Sequence, residues 1–352
     1  MREDTVSPYQ LFLILIFLTV SGGFLDREIG TVSTAAGFLL SLLFFCLGRR
    51  AGEGEGGKAA ALLAFGFLSF RIGELVRLFS SFWVRSVTPT GAAVLFGLPL
   101  LVVGTMLASA GYRGIGRFSE LLSPLIVLTL LFAAAPFFGK APAGQGLSLP
   151  SSFHALTDLP PVFLLAGRTV SKRSQKASAY ARADAENASL FFSGRMPVQK
   201  RSVQTAGFLG LAAGNLLLVL MGSGCLRAVG ASLYGRLTAP GLYAVRVSLG
   251  ESAEPAYLLC LIAAVLMRLA LLLRAAGELL DWCSPHAGGY SLFLSALLGG
   301  GMWLFLAAFS PRIDRFFAGM ILLTESLLSF FLFFSKKSKK GFDKKGEKRY
   351  NR

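Results

Sequence analysis

Hydrophobic positions along this chain fall in long blocks rather than in alternation. Apolar runs cover residues 9–25, 31–48, 59–83, 89–109, 119–138, 204–224, 255–280, 289–309 and 315–335. Each is about 17 to 25 residues long, the length with which a helix crosses about 30 Å of hydrocarbon. A weaker, more polar stretch, 177–196, lies between the fifth and the sixth of these runs. In a bilayer every backbone polar group must pair within its own helix, so blocks of this kind predict helices and nothing else. The pattern therefore predicts an all-α integral membrane protein of about ten transmembrane helices, counting the weak stretch. The opening run has no small-residue cleavage site after it and reads as a retained first span.

Ten spans place both ends of the chain on one side, and the loop charges test this. With the N-terminus inside, inner segments hold 18 Lys and Arg and outer segments 13. Five of the outer ones, Arg168, Lys172, Arg173, Lys176 and Arg182, come from a single polar patch. The excess follows the positive-inside rule. Residues 1–335 then form one transmembrane domain and 336–352 a basic cytoplasmic tail. The patch around 168–182 cannot face lipid, where a central charge costs about 2.5–3.5 kcal/mol. It is either a surface loop leading into a short helix or the wall of a wet cavity.

Composition agrees. Of 352 residues 54% are hydrophobic and 15% charged, with mean hydropathy +0.62, against about 25% charged in an ordinary globular chain. The net charge of +16 is concentrated in the tail, which holds nine Lys or Arg and two acids. A basic cluster just after a last span sits on anionic membrane lipid. No folded basic module accompanies it, so nucleic acid is not an expected partner.

The chemistry on offer is sparse. Four cysteines, Cys46, Cys225, Cys260 and Cys283, and two histidines, His154 and His286, show no ligand spacing, so neither a metal nor another cofactor is expected. No nucleophile triad or phosphate loop appears, and the chain does not read as an enzyme. Ser21, Gly22 and Gly23 interrupt the first span; two adjacent glycines there cost roughly 2 kcal/mol against alanine. They serve either close helix packing or an unwound point whose N–H groups cradle a carboxylate. Arg71, Glu74 and Arg77 share one face of the third span, and Arg268, Arg274 and Glu278 one face of the eighth. Arg71 and Arg268 lie deepest, where an internal partner or cavity is needed. Arg117 and Glu120 stand three apart at the mouth of the fifth span, ahead of Pro124.

Three stretches carry a family resemblance. The opening "SPYQLFLILIFLTVSGG" resembles the start of the spore-germination B-subunit family, a Ser-Pro-x-Gln beginning with a glycine-bearing first helix. "GYRGIGRFSELLSP" is similar to that family's Gly-x-x-x-x-x-Arg-x-x-Glu-x-x-x-Pro signature at the fifth helix. "APGLYAVRVSLGESAE" is similar to its Pro-x-x-x-x-x-Arg-x-Ser-x-Gly-Glu segment before the eighth. All three occur in order across nearly the whole chain.

The resemblance implies a member of the amino acid–polyamine–organocation superfamily, with a LeuT-like five-plus-five inverted repeat and broken first and sixth helices. It implies residence in the inner membrane of spores beside A-type and C-type germinant-receptor subunits. A small amino-acid-like nutrient would bind at the helix breaks: Ser21, Gly22 and Gly23 in the first, Asp184, Glu186 and Asn187 in the sixth, taken as 177–196. Arg117, Glu120, Arg71 and Arg268 would be structural or gating groups. A secondary amino-acid transporter of the same superfamily is the other function this resemblance allows, and a scaffold for the partner subunits a third. The chain departs from the family pattern at Pro255, Tyr257 and Ala264, where an Arg-x-Glu pair and a Trp are usual.

Overall fold

The structure, a computed structural model, describes residues 6–25, 31–51, 58–88, 91–138, 159–168, 197–234, 237, 239–284, 290–307, 324 and 326–334. The helices are α1 (Pro8–Leu25), α2 (Thr31–Ala51), α3 (Lys58–Ser86), α4 (Ala93–Ser109), α5 (Gly111–Leu121), α6 (Ser123–Phe138), α7 (Leu159–Arg168), α8 (Pro197–Val229), α9 (Ala231–Tyr234), α10 (Pro240–Leu249), α11 (Glu254–Cys283), α12 (Ser291–Ala307) and α13 (residues 326–334), with a 3-10 turn at Glu251–Ala253. Helix therefore occurs in all nine strong apolar runs. Three helices, Lys58–Ser86, Ser202–Val229 and Glu251–Cys283, are each long and apolar enough to cross a membrane alone. Shorter apolar helices at Pro8–Ser21, Phe38–Gly48, Ser123–Phe137 and Ser291–Ala307 stand beside them.

The helices pack in a reciprocal pattern. A first set of five is α1, α2, α3, α4 and α6, and a second set, in chain order, is α7, α8, α11, α12 and α13. α1 lies on α8 as α7 lies on α2; α3 lies on α12 as α11 lies on α4. α6 packs on α8, and α13 returns the contact on α2, where the Phe330 and Phe44 rings meet edge-on at 5.1 Å. Such exchange between the two sets is what a five-plus-five inverted repeat produces, although the sequence shows no repeat.

Two sequence expectations are corrected in position. The fifth run is not one helix from 119. The chain turns through 115° between α4 and α5, and a second interruption at Leu122 precedes α6. Gly111 makes the first turn with φ 73°, a left-handed backbone that a Cβ disfavours. Pro124 sits in the first turn of α6, where a missing N–H leaves no bond unmade. The second concerns α7, a ten-residue helix with Pro160–Pro161 near its start, in a stretch where no helix was expected. Prolines are tolerated in a helix's first turn, and residues 160–166 are all buried. α7 lies against α2 so closely that a Cβ on Gly48 would sit 2.2 Å from the Phe163 carbonyl oxygen. The stretch expected as the sixth helix, 177–196, lies outside the described residues, with Asp184, Glu186 and Asn187.

The core runs along α1, α3, α8 and α11. Where α8 meets α1, close approach rests on glycine, as small residues permit between membrane helices. A Cβ on Gly210 would lie 2.8 Å from the Phe12 carbonyl oxygen, and one on Gly214 2.8 Å from the Thr19 Cβ.

Candidate functional site

The start of α1 is built by its sequence. Ser7 Oγ accepts from the Gln10 amide at 3.1 Å, and Gln10 Oε1 accepts from the Ser7 amide at 3.0 Å. This is a capping box, which satisfies two of the amides a helix start leaves unbonded. The Ser-Pro-x-Gln of the first stretch thus has a local physical role. It also has a tertiary one: α5 lays Gly116 directly on Gln10, leaving 2.8 Å between a would-be Cβ and Oε1.

α5 is held down on its other side by α11. Tyr112, 1% exposed, donates through Oη to Glu278 Oε2 at 3.2 Å, and the Arg274 guanidinium lies 5.6 Å from the centre of its ring. The cation, the ring and the carboxylate form one cluster at the end of the molecule where α1 begins. Sequence reasoning had marked Arg274 and Glu278 as intramembrane charges but not their partner, although Tyr112 lies within the second stretch.

Above this end lies a cavity between α1, α6, α8 and α11. Ile16, Phe17, Val20 and Phe24 line it from α1, with Ile126, Thr129, Leu217 and Ala264. Its open space is about that of one water. Its polar side chain, Thr129, already donates to the Leu125 carbonyl at 2.7 Å. The lining suits the apolar part of a solute and offers no charge to bind. Phe24, near the end of α1, joins that lining to a cluster of three rings: Tyr257 stands edge-on to Phe24, centroids 5.2 Å apart, and to Phe132 at 5.8 Å.

The third stretch lies on top of these rings. A Cβ on Gly241 of α10 would fall 2.1 Å from Tyr257 Oη, so α10 touches the ring cluster directly. Gly250 ends α10 with φ 87°, and across that turn Arg246 Nε donates to Glu254 Oε1. The neighbouring carboxylate pushes the Arg246 pKa upward. The glycine and arginine of this stretch therefore close the loop between α10 and α11.

The sequence-selected residues divide as follows. Ser21 is fully buried and close to the cavity, but its hydroxyl donates to the Leu18 carbonyl at 2.8 Å, and Thr19 likewise donates to Leu15 at 2.7 Å. α1 continues as helix through Gly22 and Gly23, where an unwound point was expected. Their amides point back into the helix, which takes up the N–H groups a carboxylate cradle would need. Arg71 and Arg268, 6% and 7% exposed, lie on the packed pair α3 and α11. Arg71 is paired with Glu74, as an intramembrane charge must be. Arg117 is exposed and Glu120 half-buried on α5, and no ion pair joins them. The ring cluster escaped sequence reasoning, since Phe24, Phe132 and Tyr257 are far apart in the chain and look like ordinary span residues.

No protein-family model and no curated protein matches the chain. Among solved structures it is similar to Mhp1, a nucleobase-cation-symport-1 family transporter, in a closed conformation with bromovinylhydantoin bound. The TM-score is 0.61 at 16% identity, over 93% of this chain and 77% of that one. With the reciprocal packing above, the likeness defines the class: an all-α integral membrane protein of the LeuT-like fold.

Proposed function

We propose that the chain is a membrane subunit of a nutrient germinant receptor in the inner membrane of spores. It binds an amino-acid-like solute in the cavity beside α1 and signals to A-type and C-type partner subunits. One observation carries this reading: the three germination-like stretches come together around α1, whose Ile16, Phe17, Val20 and Phe24 line the cavity. The first two meet at Gln10 and Gly116, on the same helix. The third rests on Tyr257, whose ring packs on Phe24 of that lining.

Ser21, Gly22 and Gly23, with Asp184, Glu186 and Asn187, are the proposed solute-binding residues, and Arg117, Glu120, Arg71 and Arg268 the structural or gating ones. A cavity closed to about one water must open for a nutrient, and that opening is the signal. The deciding experiment scores germination of spores lacking the gene, with a complemented strain, against a panel of amino acids and sugars. Loss of one response, restored by complementation, is the expected result. An unchanged panel would remove the receptor reading.

Fold alone does not fix function, and the likeness to a transporter holding a hydantoin in a closed state favours a second reading as a secondary amino-acid transporter. Uptake of labelled amino acid into proteoliposomes by this chain alone would establish it.

A further inference from the structure

The turned helix α5 has two faces of opposite character. Tyr112, Ile115, Gly116 and Ser119 are buried against the bundle, while Arg113 and Arg117, one turn apart, are exposed. Its place in the fold says what meets that second face. α4 exposes Leu98, Val102, Val103 and Met106, the apolar flank expected of a helix against lipid tails. That flank stops at Ser109, the chain turns through 115°, and Arg113 and Arg117 are the next charged side chains. α6 resumes the apolar surface with Val127, Leu130 and Leu131 exposed. The two arginines thus stand where hydrocarbon contact ends on both sides, at the depth of the headgroups. Arginine binds phosphate with a fixed fork of donors, and a basic group beside an anionic leaflet gains from its surface potential.

We propose that the exposed face of α5 is a binding site for anionic phospholipid, with Arg113 and Arg117 holding headgroup phosphate. The site is coupled to the bundle because the buried face of the same helix touches Gln10 of α1 and Glu278 of α11. Lipid held on α5 therefore steadies the end of the molecule beneath the cavity.

The full chain, reconstituted in nanodiscs of phosphatidylcholine with or without phosphatidylglycerol, tests this. Lipid retained after mild delipidation is counted by native mass spectrometry, and melting is followed in both discs. Wild type should retain phosphatidylglycerol in preference to phosphatidylcholine and melt higher when it is present. Arg113→Gln and Arg117→Gln should each reduce the preference about fivefold, the double variant should abolish the melting gain, and lysine at both positions should restore part of it. All variants keep the basic tail, so differences between them report α5. Unchanged retention in the double variant would overturn the site. So would a double variant that melts below wild type in phosphatidylcholine alone, which would assign the arginines to internal packing. Normal lipid retention with loss of a co-purified partner subunit would assign the face to a protein and equally overturn it.

Discussion

Gln10 and Gly116, 106 positions apart in the chain, are in such close contact that a methyl group on Gly116 would meet the Gln10 Oε1 at 2.8 Å. That same oxygen accepts from the Ser7 amide and closes the first turn of α1. The seating of α5 and the capping of the helix that lines the cavity are therefore one arrangement.

Gly116→Leu should push Gln10 out of its capping position. The lost cap alone costs ~1 kcal/mol, and displacement of α5 adds to it. A lowered melting temperature in detergent, with a much smaller change for Gln10→Glu, which can still cap, is the expected outcome; equal melting of Gly116→Leu and wild type would show that the contact is slack.

Tyr112→Phe removes the hydrogen bond to Glu278 and keeps the ring beside Arg274. Because the acceptor is a carboxylate, it should cost ~1.5–3 kcal/mol. Tyr112→Ala loses the ring as well and should cost more, by about the 3–5 kcal/mol of a buried aromatic truncation. Thermal melts of the two variants, read against each other, separate the hydrogen bond from the packing.

Arg71→Met leaves Glu74 without its cation in the packed interior of α3 and α11. Breaking a buried pair on one side costs about 3–5 kcal/mol, enough to deplete the protein from the membrane. Replacing both, Arg71→Met with Glu74→Leu, should recover most of the level, which quantitative blotting of membrane fractions would show. A double variant as depleted as the single would mean that Arg71 serves other partners more than Glu74.

Thr129→Leu places extra carbons in the cavity. If the solute binds there, the nutrient response should fall at least tenfold in the germination assay. The protein level should stay near normal, because the open space absorbs part of the added volume; overpacking otherwise costs ~1–3 kcal/mol. A normal response with the cavity filled would move the binding site elsewhere.

Much of this was legible because lipid imposes simple rules. Runs of apolar residues long enough to span gave the helices of α1, α3 and α11 nearly to their ends, and the intramembrane arginines announced that partners were needed. Legibility failed where length and polarity no longer reported position. α7 is short and begins with two prolines, so nothing local distinguished it from a loop until α2 supplied a surface to bury it. The glycine pair at Gly22–Gly23 allowed either close packing or an unwound point, and it was the family resemblance that implied the break. Hydroxyls at Thr19 and Ser21 bonding back to their own helix show instead a first span closed on itself up to Leu25.

The chain's own sequence determined that it enters a membrane, that its long apolar runs are helical, and that α1 begins at a capped Ser7, because each follows from interactions within a few residues or with a uniform solvent. Tertiary structure decided that Tyr112 meets Glu278, that the rings of Phe24, Phe132 and Tyr257 pack together, and that α5 turns its arginines outward. Those outcomes depend on which helices become neighbours, and pairings across a hundred or more residues leave no periodic trace in a single sequence.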